Sequence, residues 1–273
     1  MKNIYKLELV RGCESWGIKV SLLFGCGISV AQWMFNVLPV AFYQNTYMAS
    51  DYSMKYPFNV FNNWIGAQTY TFSYLYFFLI PLFVALPHAG SFFQDIDYHM
   101  IEALCIREER KHYYRSKYVA AFISGGMVAI IPLMFNFILT SAVLPFVKPQ
   151  AADYTTLIGM RSTLGDFYFV HPMLYVCIFL MIIFVFGGIL STVAFIATYY
   201  TDHMFIVLIT PFVFSVFLNS LFSMLGLTDW QMVFFLNPGY SGNRILPIML
   251  EGFIILAGTF WIFVVKGSKD DIC

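Results

Sequence analysis

The sequence predicts an all-α polytopic membrane protein. It has six transmembrane helices, an amphipathic N-terminal interfacial helix and a short cytoplasmic helix between the second and third spans. Three observations predict this class. Hydrophobic residues make up 60% of the chain and charged residues 11%, against roughly 45–50% and 25% in soluble domains. Uncharged runs extend between Lys19 and Asp51, from Tyr56 to Gln94 and from Tyr118 to Val147, each long enough for a helix of about 20 residues to cross a bilayer. Lysine and arginine are distributed unevenly between alternate loops, as the positive-inside rule expects. At 273 residues, six spans leave short loops and no second folded unit, so 1–273 reads as a single transmembrane domain. The net charge of zero supplies no basic field for nucleic acid. Cys13, Cys26, Cys105, Cys177 and Cys273 are scattered, without a C-x-x-C pair, so no disulfide framework is expected.

Residues 1–19 begin the chain. Ile4, Leu7, Val10 and Trp16 recur near helical spacing, with Lys2, Lys6, Glu8, Arg11 and Glu14 elsewhere on the wheel; such a helix lies in the headgroup plane. A cleaved signal peptide is disfavoured because the charged region is long, carries two glutamates and leads into an apolar run that continues to Ala41,. The first span is read at 20–42. An aromatic and polar connection follows, suited to a membrane interface. The second span, 72–93, contains Pro81 and Pro87, which predict a kink. A charged segment at 94–117 precedes the third span, 118–145. The fourth span is read at 172–198, after an outer connection. A tight turn leads to the fifth, 204–225. The loop LTDWQMVFFLNPGYSGNR, with its Asn-Pro-Gly turn signal,, reads as re-entrant or interfacial. The sixth span is 245–265.

Six spans place both termini on one side. That side holds Lys2, Lys6, Arg11, Lys19, Arg107, Arg110, Lys111, Arg115, Lys117, Lys266 and Lys269; the other holds Lys55, Lys148, Arg161 and Arg244. The excess puts the termini and the segment 94–117 in the cytoplasm of a plasma-membrane protein. This segment carries Asp95, Asp97, Glu102, Arg107, Glu108, Glu109, Arg110, Lys111, Arg115 and Lys117. A charged island between two apolar runs is expected in water while its flanks lie in lipid. Residues 95–106 read as a short amphipathic helix through Tyr98, Ile101 or Glu102, and Cys105. The cations of 107–117 sit where they can anchor the third span against anionic lipid headgroups.

Enzymatic motifs are lacking. No G-x-x-x-x-G-K-S/T loop is present,, so ATP hydrolysis, if used, belongs to another chain. Glu108-Glu109 lacks the arginine and the later histidines of E-E-x-x-x-R intramembrane metalloproteases, and Gly188-Ile189-Leu190-Ser191 does not fit a G-x-S-G nucleophile. The five histidines show no i, i+3 or i, i+4 pairing, so no metal site is expected. His88 and His171 read as interfacial or capping residues. Three polar groups within the spans are candidate intramembrane sites. Glu251 is costly at such depth and is expected to remain wetted by headgroups, to pair with Arg244 or Arg161, or to face a substrate path. Asn136 and Asn219 are expected to hydrogen-bond between helices or to touch substrate.

Six spans, an amphipathic N-terminal helix and a first cytoplasmic segment closing on R-E-E-R-K-H-Y-Y-R-S-K (107–117) resemble the permease subunits of type-2 ABC exporters. The resemblance implies a coupling helix near Tyr98, His99, Met100, Ile101, Glu102, Ala103 and Cys105, seated in a cleft of an ATP-binding subunit. Glu102 is closest to the family's coupling glutamate, and Arg107, Arg110, Tyr114 and Lys117 match the segment that leads into the third span. Ala103-Leu104 stands where the family often has Gly-Thr, and two short re-entrant helices are the family's habit before the sixth span. The resemblance implies two ATP-binding subunits and a second permease copy or paralogue in a bacterial membrane. This chain itself would hold no cofactor, ATP and Mg being bound by the partner subunit. The abundance of Phe and Tyr suits a hydrophobic or amphipathic cargo such as a peptide, an antimicrobial peptide or a lipid-linked molecule. The reading from another class is a non-transporting scaffold or intramembrane enzyme.

Overall fold

Apolar side chains and internally paired backbone leave helices as the natural element of this chain, and helices are the only regular structure among its described residues. The computed structural model describes residues 2–50, 55–98, 110–153, 155–201, 203–240, 242 and 244–267. Six helices are long and apolar enough to cross a membrane: Trp16–Ala49, Thr71–Phe92, Arg110–Ser141, Pro172–Ala197, Met204–Met224 and Ile245–Val265. They are called the first to sixth spans. The first is preceded by the helix Lys2–Glu14, and Ser15 caps the junction by accepting from the Ile18 N–H at 3.2 Å.

Proline shapes the first two spans. Pro39 has no N–H to donate. The turn before it is π-helical over Trp33–Val37, and the Leu38 N–H bonds the Trp33 carbonyl five residues back. In the second span Pro81 is carried inside the helix Thr71–Ala85. The break falls at Leu86–His88, around Pro87, and the chain resumes as Ala89–Asp97.

The third span begins at Arg110, eight residues before the expected Tyr118, and runs for 32 residues. At 1.5 Å per residue that is about 48 Å, longer than the roughly 30 Å hydrocarbon core. Its charged first two turns are therefore helix that continues beyond the apolar layer. The second, third and fourth spans are half or more buried, whereas the fifth is 17% buried, so the former trio forms the centre of the bundle. The third and fourth approach closely because small residues face each other. A Cβ on Gly187 would stand 2.6 Å from the Ala129 Cβ, and one on Gly125 would overlap Ser191. Ser191 Oγ instead donates to the Ala121 carbonyl at 2.7 Å. Such approach is how small residues hold membrane helices together.

The connection between the first two spans is packed inside the protein. Residues 59–68 are all buried, with one helical turn at Val60–Asn63. Its irregular backbone is satisfied by side chains. Asn136 Oδ1 accepts from the Ile65 N–H at 2.8 Å, Gln32 Nε2 donates to the Asn63 carbonyl at 3.1 Å, and the Tyr168 hydroxyl donates to Asn62 Oδ1 at 2.6 Å. Before the sixth span lie a 3-10 turn, Thr228–Trp230, and one helical turn, Met232–Phe235. Arg244 ties this loop together, bonding Asp229 at 3.1 Å and the Tyr240 carbonyl at 2.8 Å.

Candidate functional site

The N-terminal helix turns Glu8 and Arg11 inward, while Lys6 and Glu14 are exposed. Glu8 is 1% exposed, while Leu7 and Val10 are exposed, as is Trp16 just beyond the helix. Glu8, Arg11 and Gly12 share one face at i, i+3 and i+4. That face meets the end of the second span and the start of the third. Arg11 Nη1 lies 2.7 Å from Asp95 Oδ1 and 3.9 Å from Glu8 Oε1. Lys117 Nζ lies 3.3 Å from Glu8 Oε2 and makes a short ion pair with Asp95 Oδ2. The Tyr113 hydroxyl, one turn before Lys117, donates to the same Asp95 oxygen at 2.5 Å. Asp95 and Lys117 are fully buried, although both belong to the island expected in water.

Among the described residues the cluster holds two acids and two bases, and each of these charges has at least one opposite partner within 3.3 Å. Buried charges persist when so matched. Burial works against the Arg11 charge, yet its hydrogen bond and attraction to Asp95, with Glu8 behind, hold the guanidinium above its ordinary value. Two glycines let the helix approach. A Cβ on Gly12 would overlap the His88 imidazole, and one on Gly17 would overlap the Leu86 carbonyl. His88 is buried there with its Nδ1 3.2 Å from Ser91 Oγ. Of the two readings of His88, interfacial or capping, its place directly before the helix Ala89–Asp97, with its carbonyl accepting from the Ser91 N–H at 3.0 Å, fits the second, and the break at Pro87 folds it under the N-terminal helix.

An aromatic cluster adjoins the charges. Phe92, Tyr114, Phe195 and Phe263 come from the second, third, fourth and sixth spans. Phe263 lies 4.9, 5.2 and 4.5 Å, ring centre to ring centre, from Phe92, Tyr114 and Phe195. Such pairs add about 0.5–1.5 kcal/mol each beyond area burial. Together, charges and rings fasten the N-terminal helix and four spans at one end of the bundle.

Of the residues singled out from the sequence, Lys117 is at the centre of the charge cluster, Tyr114 is in the aromatic one, and Arg110 is half-buried at the first turn of the third span. Tyr98 is 69% exposed just past the helix Ala89–Asp97. His99, Met100, Ile101, Glu102, Ala103, Cys105 and Arg107 lie outside the described residues. Asn136 is committed to structure: besides accepting from Ile65, its amide donates to the Ser29 carbonyl at 2.9 Å and to Gln32 Oε1 at 2.7 Å. Glu251 is 5% exposed, and neither carboxylate oxygen has a hydrogen-bond partner among the described residues. It is not wetted at a surface, and Arg244 pairs with Asp229 instead. Glu251 follows Pro247 and precedes Ile255 and Thr259 at four-residue steps, all buried, so it belongs to the stripe that faces the bundle. Asn219 sits apart, on the fifth span.

Sequence reasoning missed Glu8, Arg11, Asp95, Tyr113 and His88 as members of one site. The available signal was a pair of opposite charges closing the island, Asp95 and Lys117, together with a glycine beside the charges of the N-terminal helix. No family model, curated protein or solved structure matches the chain.

Proposed function

We propose that this chain is the permease subunit of an ATP-driven exporter of the type-2 ABC class, moving a hydrophobic or amphipathic cargo. The observation that carries the reading is the buried charge cluster. It joins the N-terminal helix to the two helix ends between which residues 99–109 are strung, the end at Asp97 and the start at Arg110. A segment docked on an ATP-binding subunit has to hand its displacement to the spans without dissipating it. Matched buried charges supply such a link, because separating them inside a low dielectric is costly. Movement of residues 99–109 would then carry the N-terminal helix and the second and third spans as one body, a two-state element biased by nucleotide on the partner.

Two further features favour the reading. The loop before the sixth span carries two short helical pieces, Thr228–Trp230 and Met232–Phe235, where the resemblance leads one to expect re-entrant helices. The N-terminal helix presents Leu7 and Val10 outward, which suits a helix lying on the cytoplasmic headgroups. In this reading Tyr98, Glu102 and their neighbours contact the ATPase, Arg107 and Arg110 anchor the segment, two permease copies or paralogues face each other, and ATP with Mg is held by the partner.

Purification of the tagged full-length chain from mild-detergent membranes, with ATPase assayed on the eluate, tests the proposal. The expected result is a stoichiometric ATP-binding partner that is lost when residues 99–109 are replaced by a neutral linker and weakened by Glu102→Arg. A chain that purifies alone from several detergents overturns the exporter reading in favour of a scaffold or intramembrane enzyme.

A further inference from the structure

His88 stands at the break in the second span with one ring nitrogen used and the other covered. Its Nδ1 lies 3.2 Å from Ser91 Oγ, and Ser91 Oγ lies 2.8 Å from the His88 carbonyl. The serine has one hydrogen, and a carbonyl can only accept it. The hydroxyl therefore donates to the carbonyl, and Nδ1 carries the hydrogen that meets Oγ. In the neutral ring this fixes the tautomer and leaves Nε2 as a bare lone pair. Nε2 is buried and has no hydrogen-bond partner among the described residues.

The N-terminal helix is what covers it. A Cβ on Gly12 would overlap Nε2 before any other atom of the ring, so this nitrogen faces the helix backbone. The charges that act on the ring are Lys117, Arg11 and Asp95. Asp95 and, on the helix, Glu8 are already matched to Arg11 and Lys117. The third span also brings Tyr113, whose hydroxyl donates to Asp95, and half-buried His112. The fourth span brings Tyr199, its ring 6.5 Å from that of Phe92. The fifth packs Met204 on Gly90, with exposed His203 beside it. A proton on Nε2 would be a donor without an acceptor among the described residues, where two of the three charges acting on it are cations. Such a proton is costly, so the ring stays neutral while the helix is seated.

We propose that the N-terminal helix is a proton-sensitive latch: lifting it bares Nε2 of His88, and the proton taken up there holds the helix off. Free imidazole titrates near pH 6.5. Below that value the seated state binds fewer protons than the lifted one. The docking free energy that depends on neutral His88 is therefore fully present above about pH 6.5 and is lost as pH falls below it. From about pH 7.5 to about pH 5.5 the docking equilibrium falls about tenfold. Carboxylates, with ordinary values near 4, contribute little in that window. As regulation of transport this rests on the exporter reading, in which the N-terminal helix moves with the second and third spans; acidification would uncouple it from them. The latch itself stands on His88 and Gly12.

The test uses the purified full-length chain in phosphatidylcholine nanodiscs. Amide hydrogen exchange of the helix Lys2–Glu14, read by mass spectrometry and corrected for the intrinsic rate, reports its opening. Wild type is expected to lose about tenfold in protection between about pH 7.5 and about pH 5.5. His88→Asn keeps an N–H for Ser91 Oγ but has no proton to gain, so its protection should not change with pH. Replacing His112 and His203 together by asparagine should leave the wild-type change in place. Protection of the fourth-span amides at both pH values reports an intact fold. If His88→Asn does not fold, His88→Gln carries the same comparison. If neither folds, ring-nitrogen NMR of the histidine-labelled wild type at about pH 5.5 decides: a seated His88 with one bare nitrogen supports the latch, and one protonated at both nitrogens overturns it. Equal wild-type protection at the two pH values, or a change that survives loss of the imidazole, overturns it as well. Because no ATPase is present, that failure is separate from failure of the exporter reading, which the pull-down decides.

Discussion

Lys117 holds two carboxylates that would otherwise share a single arginine. Replacing it by methionine leaves, among the described residues, two buried acids, Glu8 and Asp95, facing the one base Arg11. Removing one partner of a buried pair costs about 3–5 kcal/mol, so Lys117→Met should lower the thermal midpoint of the detergent-solubilised chain markedly. Adding Glu8→Gln removes the surplus charge and keeps the Arg11–Asp95 pair. The double variant is therefore expected to recover most of the loss, which a role for Lys117 as a mere headgroup anchor does not predict. A second residue reports through pH. Tyr168, on the short helix Gly165–Val170, is buried with its hydroxyl on Asn62, and burial pushes its ionisation well above the ordinary tyrosine range. The unfolded chain loses this proton near pH 10, whereas the folded chain keeps it. The stability Tyr168 contributes is thus fully present below about pH 10 and declines as pH rises beyond it. The stability advantage of wild type over Tyr168→Phe should be constant below about pH 10 and shrink steadily as pH rises above it; a constant separation throughout would mean that Tyr168 ionises freely.

At the scale of elements, the N-terminal helix and the first turn of the first span seat on the break in the second span because Gly12 on the one and Gly17 on the other present no side chain. The obstacle at Gly12 is an imidazole that can rotate, whereas at Gly17 it is the Leu86 backbone carbonyl. Gly17→Ala should therefore detach the helix more than Gly12→Ala. Gly27→Ala, with nothing within 4 Å of the added carbon, should have no such effect. Limited proteolysis near Glu14 reads the difference, and equal protection in all three variants would sink the packing argument. These contacts also mark what was legible beforehand. Long uncharged runs located the spans because the bilayer imposes a length that composition alone reveals. The helix of the third span begins before its apolar run, through Arg110–Lys117, and hydropathy cannot see a helix in charged residues. The inward face of the N-terminal helix was misjudged for a related reason. Periodicity separates the face of Leu7 and Val10 from the charged one but does not say that part of the charged face, Glu8 and Arg11, meets protein.

For the whole molecule, the bundle has two unlike ends. One is fastened by ion pairs and rings; the other is closed by the buried connection 59–68. Polar groups at the second end are visible in the sequence as a list of asparagines, but only the folded chain separates Asn136, whose amide is paired at both ends, from Asn219, whose Oδ1 has no hydrogen-bond partner among the described residues, because partners distant in sequence leave no local pattern. The exporter reading requires the fastened end to face the cytoplasm, where ATP is. Cys13 is exposed on the N-terminal helix at that end, and Lys148 is exposed on the connection at the other. In a chain whose other cysteines are serine, Cys13 should react with a membrane-impermeant maleimide in inside-out vesicles and be protected in intact cells. With Cys13 also replaced by serine, Lys148→Cys should show the opposite pattern. The sign of the lysine and arginine imbalance argues for this orientation, and the labelling does not depend on knowing cargo or partner. Labelling of Cys13 from outside intact cells would put the charge cluster beyond reach of any cytoplasmic ATPase. The cluster would then have to be explained as a brace for an outward-facing domain end, and the proposed coupling through residues 99–109 would fail with it.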